Sequence, residues 1–388
     1  MLNFKYYNPS KIFFGQTIFD DIKNVLELRK VRKMLLIYGG EYVKKLGIYD
    51  NIVNICKDLS IDMIESDKVV PNPKVELTRD LINISREEKV DFIIAVGGGS
   101  AIDTAKAVSI GIKYEGDVWD FFEGKAKIVE VIPVGVISTI PASGSETSNA
   151  TIINNGLYKK GFEDDRIIPI FAAMNPVYTL SLPFYQTSVG IADILSHLLE
   201  RYFTNVKNVD VTDYLIEGAI KALLLNAYKI IKDPNNINVR SEIQWLATIA
   251  HNNLLDTGRE SDWASHRIEH EISAQYDVTH GEGMAIVILG YIRYMSGKNP
   301  KKIAQLSNRL FDIDYNSFTE SEMCIVLAEK FEDIFKLLGL KTKLSELDID
   351  TIHFEDMANR ATQNNTIKIG HYYPLDNKKI IDVLKLCL

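Results

Sequence analysis

Three of the chain's seven histidines fall within residues 262–283, DWASHRIEHEISAQYDVTHGEG, as His266, His270 and His280. His266 and His270 are four residues apart, so one helix face would carry both. Upstream, ADILSH sets Asp193 and His197 at the same spacing. One carboxylate and several imidazoles form a donor set for a borderline divalent ion such as iron, zinc or nickel. The competing account makes each histidine an ordinary core or surface side chain, and residue order alone does not bring 193–197 and 266–280 together. HRIEH is not HExxH, because Glu269 occupies the wrong position, so a zincin peptidase is disfavoured. No GxSxG elbow is present, which weakens a hydrolase reading.

A second set of residues suits a phosphate. Gly97, Gly98, Gly99 and Ser100 follow an apolar run and precede AIDTAKAV, a helical pattern. Glycine there lets a backbone approach a ligand, and the amides of a helix N-terminus favour pyrophosphate. Gly39 and Gly40 repeat the arrangement after KMLLIY. Neither stretch is GxGxxG or a Walker A pattern, so glycines that only shape turns are an equal account. STIPASGSETSN, residues 138–149, offers Ser138 and Thr139 to a dinucleotide, or merely an N-cap at Ser143 or Ser145. Asp103 either bonds a ribose or nicotinamide group or caps its own helix.

The elements that must position these residues divide into two grammars. Over roughly residues 1–180, short apolar runs end in glycine turns and alternate with helical segments: 33–40, 61–73, 91–100 and 129–146 read as strands. That alternation predicts an α/β domain with a mostly parallel sheet, and the unbroken apolar runs fit strands covered on both faces. From about residue 181 to 388 the periodicity is helical, which predicts an all-helical second domain. A ligand site in the cleft between the two is the expectation. With 388 residues, 46% hydrophobic and 25% charged, the chain suits two folded domains. A net charge of −8 gives no long-range attraction to nucleic acid or an anionic membrane. Cys56, Cys324 and Cys387 form no CxxC, and no run approaches bilayer length. Together with a start lacking signal-peptide character, this predicts a cytoplasmic protein.

The whole chain, from NPSKIFFG onward, resembles the iron-containing (group III) alcohol dehydrogenases, in the branch of NAD(P)H-dependent butanol dehydrogenases and aldehyde reductases. GGGSAIDTAKA, PASGSETSN, NPVYTLSLP and DWASHRIEHEISAQYDVTHGEGMA carry the likeness. The resemblance implies a dinucleotide-binding α/β domain, a helical domain and a dehydroquinate synthase-like architecture. It implies reversible hydride transfer between nicotinamide and a small primary alcohol or aldehyde, a homodimer, and one divalent metal, iron foremost, with zinc or nickel as alternatives. It places Asp193, His197, His266 and His280 on the metal-ligand positions and His270 on the nicotinamide and substrate side. Gly99, Ser100, Ser138 and Thr139 fall on cofactor positions, and Lys159, or its neighbour Lys160, on a cofactor-contacting lysine. Related NADPH users resemble YGGGS after the first strand, whereas YGGEY here puts Glu41 and Tyr42 in place of glycine and serine. A carboxylate disfavours a 2′-phosphate and accepts from ribose hydroxyls, so NAD(H) is expected over NADP(H). A polyol or glycerol-type dehydrogenase, and a non-catalytic nucleotide- or metal-binding protein, are the alternatives.

Overall fold

The computed structural model describes residues 1–388. The chain forms two compact units, one of Tyr7–Leu182 and one of Met1–Tyr6 together with Pro183–Leu388. No helix is long and apolar enough to cross a membrane, and all three cysteines are buried free thiols.

The Tyr7–Leu182 unit contains eight strands: β1 (Lys11–Phe14), β2 (Lys33–Tyr38), β3 (Asp62–Ser66), β4 (Phe92–Gly97), β5 (Val134–Ser138), β6 (Ala150–Asn155), β7 (Tyr158–Glu163) and β8 (Phe171–Met174). Six of them form one sheet in the order β1-β8-β5-β4-β2-β3, every pair parallel. The continuous apolar runs have the anticipated cause. Leu35, Ile37, Ile93 and Ala95 face one apolar core, while Met34, Leu36, Ile94 and Val96 face the other. Both faces of the sheet are covered, so neither phase of the alternation can be polar. The chain runs outward from β2 to β3, then returns to place β4 on the opposite side of β2. That reversal is a topological switch point, where the carboxyl ends of β2 and β4 open a crevice.

The antiparallel hairpin β6–β7 was not anticipated, although its two-residue loop, Gly156-Leu157, opens with the glycine that such tight hairpins favour. Gly156 takes φ +57°, which glycine adopts without a side-chain clash.

The Pro183–Leu388 part is helical and encloses its own large apolar core. Two helices run through the middle of it, Phe184–Tyr202 and His280–Ser296, and both are buried around almost their whole circumference. They approach so closely that a Cβ on Gly281 would lie 2.0 Å from the Val189 carbonyl oxygen. Helix Ala264–Tyr276 packs beside them.

Candidate functional site

The nucleotide-like features gather at the carboxyl edge of the parallel sheet. Gly39, Gly40, Glu41 and Tyr42 follow β2, Gly97 through Ser100 follow β4, and Ser138 and Thr139 end β5. Gly98 is the N-cap of the helix Gly99–Gly111, and no side chain caps that terminus. First-turn amides left without a side-chain cap and the positive end of the helix dipole suit an anionic phosphate. The glycines have reasons inside the fold as well. A Cβ at Gly39 would meet the Val69 carbonyl oxygen at 2.3 Å, one at Gly98 would meet Ile140 at 3.0 Å, and one at Gly99 would meet the Ser143 hydroxyl at 2.8 Å. The loops are joined to each other: the Thr139 amide donates to the Gly97 carbonyl, and the Tyr42 hydroxyl lies 3.3 Å from the Thr139 hydroxyl. Burial pushes the Tyr42 pKa up, so it remains a neutral phenol.

Asp103 is engaged by the fold. Its carboxylate accepts from the Ser145 hydroxyl at 2.6 Å and from the Ile152 amide at 3.2 Å, away from its own helix terminus. One turn on, the buried Lys106 ammonium donates to Ser145 Oγ, to the Ser148 carbonyl and to the Ala150 carbonyl. This pair ties the helix after the glycine turn to the serine-rich loop 143–150. Strand alternation separates the two candidate lysines on β7. Lys159 is buried, with its ammonium 3.3 Å from Asn72 Oδ1, while Lys160 covers the Trp119 ring.

In the helical unit, three elements bring distant histidines together. Helix Phe184–Tyr202 carries Asp193 and His197, helix Ala264–Tyr276 carries His266 and His270, and His280 opens helix His280–Ser296. Around Asp193 Oδ1 stand His280 Nε2 at 3.5 Å, His197 Nδ1 at 3.6 Å and His266 Nε2 at 3.8 Å. Asp193 Oδ1, His197 Nδ1 and His266 Nε2 are each buried without a hydrogen-bond partner. Buried polar atoms are rarely left so, because each costs about 1–3 kcal/mol. Three of them converging, from one carboxylate and two imidazoles, fit the donor set of a borderline divalent ion. Asp193, His266 and His280 present ligand atoms within 4.8 Å of one another. His270 stands beside this group, its ring 5.8 Å from that of His280 and 6.5 Å from that of His266.

Electrostatics agree with the geometry. Burial, followed by the neighbouring His251, His266 and Arg201, holds the His197 pKa well below its usual value, leaving a neutral ring with a lone pair. At His266 burial pulls the pKa down, but Glu200 and Asp193 outweigh it and bring it to about 9. The carboxylates around His266 therefore favour positive charge at this position.

Comparison with known proteins then decides the family. The family model for iron-containing alcohol dehydrogenase matches residues 9–176, and that for the C-terminal part of Fe-containing alcohol dehydrogenases matches residues 187–388. This chain belongs to the iron-containing alcohol dehydrogenase family. It is 34% identical, over the full length of both chains, to "Probable NADH-dependent butanol dehydrogenase 1" of Bacillus subtilis. It is also 34% identical to NADH-dependent butanol dehydrogenase A of Clostridium acetobutylicum, over 99% of each. The crystal structure of NADH-dependent butanol dehydrogenase A from Thermotoga maritima superposes with a TM-score of 0.94 at 31% identity, covering 100% of this chain and 99% of that one. Within the iron-containing alcohol dehydrogenases, these relatives define the butanol dehydrogenase and aldehyde reductase branch.

Three residues of this family member's histidine cluster escaped the reading of its sequence. Glu200 lies against His266 Nδ1 and Glu269 against His280 Nδ1, both glutamates fully buried. His251 places its ring 4.5 Å from that of His197. Glu200 follows His197 by three residues and Glu269 follows His266 by three, so each shares a helix face with a candidate ligand. That spacing sets each glutamate beside the cluster but does not say which imidazole it bonds. His251 offered no such spacing, since it ends a different helix.

Proposed function

We propose that this chain is a metal-dependent, NADH-preferring alcohol dehydrogenase and aldehyde reductase acting on small primary alcohols and aldehydes of the butanol type. The observation that carries the reading is the convergence of buried, partnerless Asp193 Oδ1, His197 Nδ1 and His266 Nε2 beside His280. Asp193, His197, His266 and His280 are the proposed ligands of one divalent ion, iron first and zinc or nickel next. A bound ion supplies Lewis-acid polarisation of a carbonyl oxygen, and a nicotinamide supplies or accepts the hydride. The chain's own residues bind and orient. The helix terminus at Gly98–Ser100 receives the pyrophosphate, with Ser138, Thr139 and Lys159 on the same cofactor, while Gly39, Gly40 and Tyr42 shape the ribose end. His270 shapes the pocket on the nicotinamide side. Glu41, exposed after β2, is unfavourable beside a 2′-phosphate and suits ribose hydroxyls. The Bacillus and Clostridium relatives, both named as NADH-dependent, support the same preference. A homodimer in the cytoplasm, with a dehydroquinate synthase-like arrangement, completes the proposal.

The test is NADH and NADPH oxidation by metal-stripped and metal-reloaded protein over a panel of aldehydes. Turnover of butanal that returns with metal, at higher kcat/KM for NADH, is the expected result. Nicotinamide binding without turnover on any aldehyde would overturn the enzymatic reading, and a clear NADPH preference would overturn the assignment of Glu41.

A further inference from the structure

We propose that Glu200 and Glu269 are positioning residues for the metal centre, each fixing the tautomer and the aim of one imidazole. This rests on the metal reading above and deepens it. An imidazole offers a metal only its unprotonated nitrogen, so the group bonded to the other nitrogen decides which atom is available. Here both rings are turned the same way. His266 and His280 direct Nε2 toward Asp193 Oδ1, at 3.8 and 3.5 Å, and direct Nδ1 toward a carboxylate. Glu200 Oε2 takes His266 Nδ1, while its Oε1 accepts the Ser265 amide at 2.6 Å and the His266 amide at 3.3 Å. Glu269 Oε2 takes His280 Nδ1, and its Oε1 accepts from the Ser273 hydroxyl. With each Nδ1–H donating to a carboxylate, each Nε2 keeps its lone pair for the ion and becomes a stronger donor.

The fold makes room for these carboxylates at some cost. Both glutamates are 0% exposed, and buried carboxylates are rare unless something requires their charge. A Cβ on Gly283 would lie 2.8 Å from Glu269 Oε1 and 2.9 Å from its Cγ, so the glycine leaves space for the Glu269 side chain. Glu269 thereby reaches from helix Ala264–Tyr276 to the first residue of the next helix, tying His280 to the helix that carries His266.

The experiment titrates metal-free wild type, E200Q, E269Q and G283A with Co²⁺ against a competing chelator, following the cobalt absorption bands. Glutamine keeps the shape and removes the charge, so each glutamine variant should bind Co²⁺ about 10–100-fold more weakly, with shifted bands. G283A, which touches no ligand, should follow E269Q. Co²⁺ affinities within twofold of wild type in both glutamine variants would overturn this proposal alone. A wild-type chain that takes up no Co²⁺ would overturn the metal reading and this one with it. Should E200Q fail to fold, E269Q and G283A decide the matter.

Discussion

Gly281→Ala is the sharpest test of how the metal centre is assembled, because it alters the packing beneath the ligands and replaces none of them. A Cβ at this position would sit 2.0 Å from the Val189 carbonyl oxygen and 2.7 Å from the Val189 carbonyl carbon. The obstacle is backbone in the middle of a buried helix, so no side-chain rotation relieves it. Ordinary contact begins near 3.4 Å, so helices Phe184–Tyr202 and His280–Ser296 must separate locally by about 1.4 Å. Val189 lies one turn before Asp193, and Gly281 adjoins His280, so the separation falls on the 3.5 Å approach of His280 Nε2 to Asp193 Oδ1. Metal–ligand distances tolerate only about 0.2 Å. The variant should lose His280 as a ligand, weaken metal binding by at least about a hundredfold, and lose about 1–3 kcal/mol to overpacking. Metal content by mass spectrometry after dialysis, with circular dichroism to confirm folding, measures both. A folded Gly281→Ala protein with full metal stoichiometry and wild-type affinity would refute the ligand geometry.

Other outcomes follow from the same contacts. Because Glu200 and Asp193 raise His266 to about 9, its proton stabilises the metal-free fold below about pH 6.5, and that contribution is lost as pH rises through 9. A metal must displace this proton, so zinc affinity should climb about tenfold per pH unit and level off above pH 9; a pH-independent affinity in competition titrations would contradict it. Glu41→Gly with Tyr42→Ser should raise the NADPH-to-NADH ratio of kcat/KM roughly tenfold, on the scale of one removed like-charge contact; an unchanged ratio would clear Glu41 of any role. Lys106→Met leaves the Asp103 carboxylate and the acceptors of loop 143–150 without their buried cation. It should cost about 3–5 kcal/mol in urea unfolding, and a loss below 1 kcal/mol would show that the network is dispensable.

What the sequence revealed depended on whether a signal was local. The runs KMLLIY and DFIIAVG read as strands because both of their faces are covered, and each ends at its glycines as expected. The residues at the switch point were legible for the same reason, since each group closes its own strand. The hairpin β6–β7 carried a local sign in the glycine of its Gly156-Leu157 loop, but its flanks INN and YKKGFE lack a clean apolar alternation. The histidine cluster was half legible. Spacing put Asp193 with His197 and His266 with His270 on common faces, yet only three-dimensional packing brings His280 Nε2 to Asp193. The roles of Glu200 and Glu269 depend on partners 66 and 11 residues away, which no helical period encodes. At Asp103 the sequence left a ligand contact and a helix cap both open, and its carboxylate accepts from Ser145 and the Ile152 amide, partners 42 and 49 residues away that no local pattern announces.

Charge at the centre changes character once the outer carboxylates are counted. A divalent ion with Asp193 and three neutral imidazoles carries a formal +1, a good partner for a developing alkoxide. Glu200 and Glu269 are buried against two of those imidazoles and bring the assembly to −1. Arg201 lies over the Trp263 ring and is paired with Asp256 at 3.0 Å, and its charge is also felt at His197. Stronger imidazole donors hold an ion more tightly, and by the same donation they make it a weaker electrophile. The arrangement thus favours retention of a labile divalent metal over the greatest polarisation of a carbonyl. For an aldehyde and alcohol that interconvert, that balance has a use, because an over-stabilised alkoxide would be slow to leave. If Asp193, His197, His266 and His280 hold the metal as proposed, the buried glutamates would bear on how long it stays and how readily the product departs.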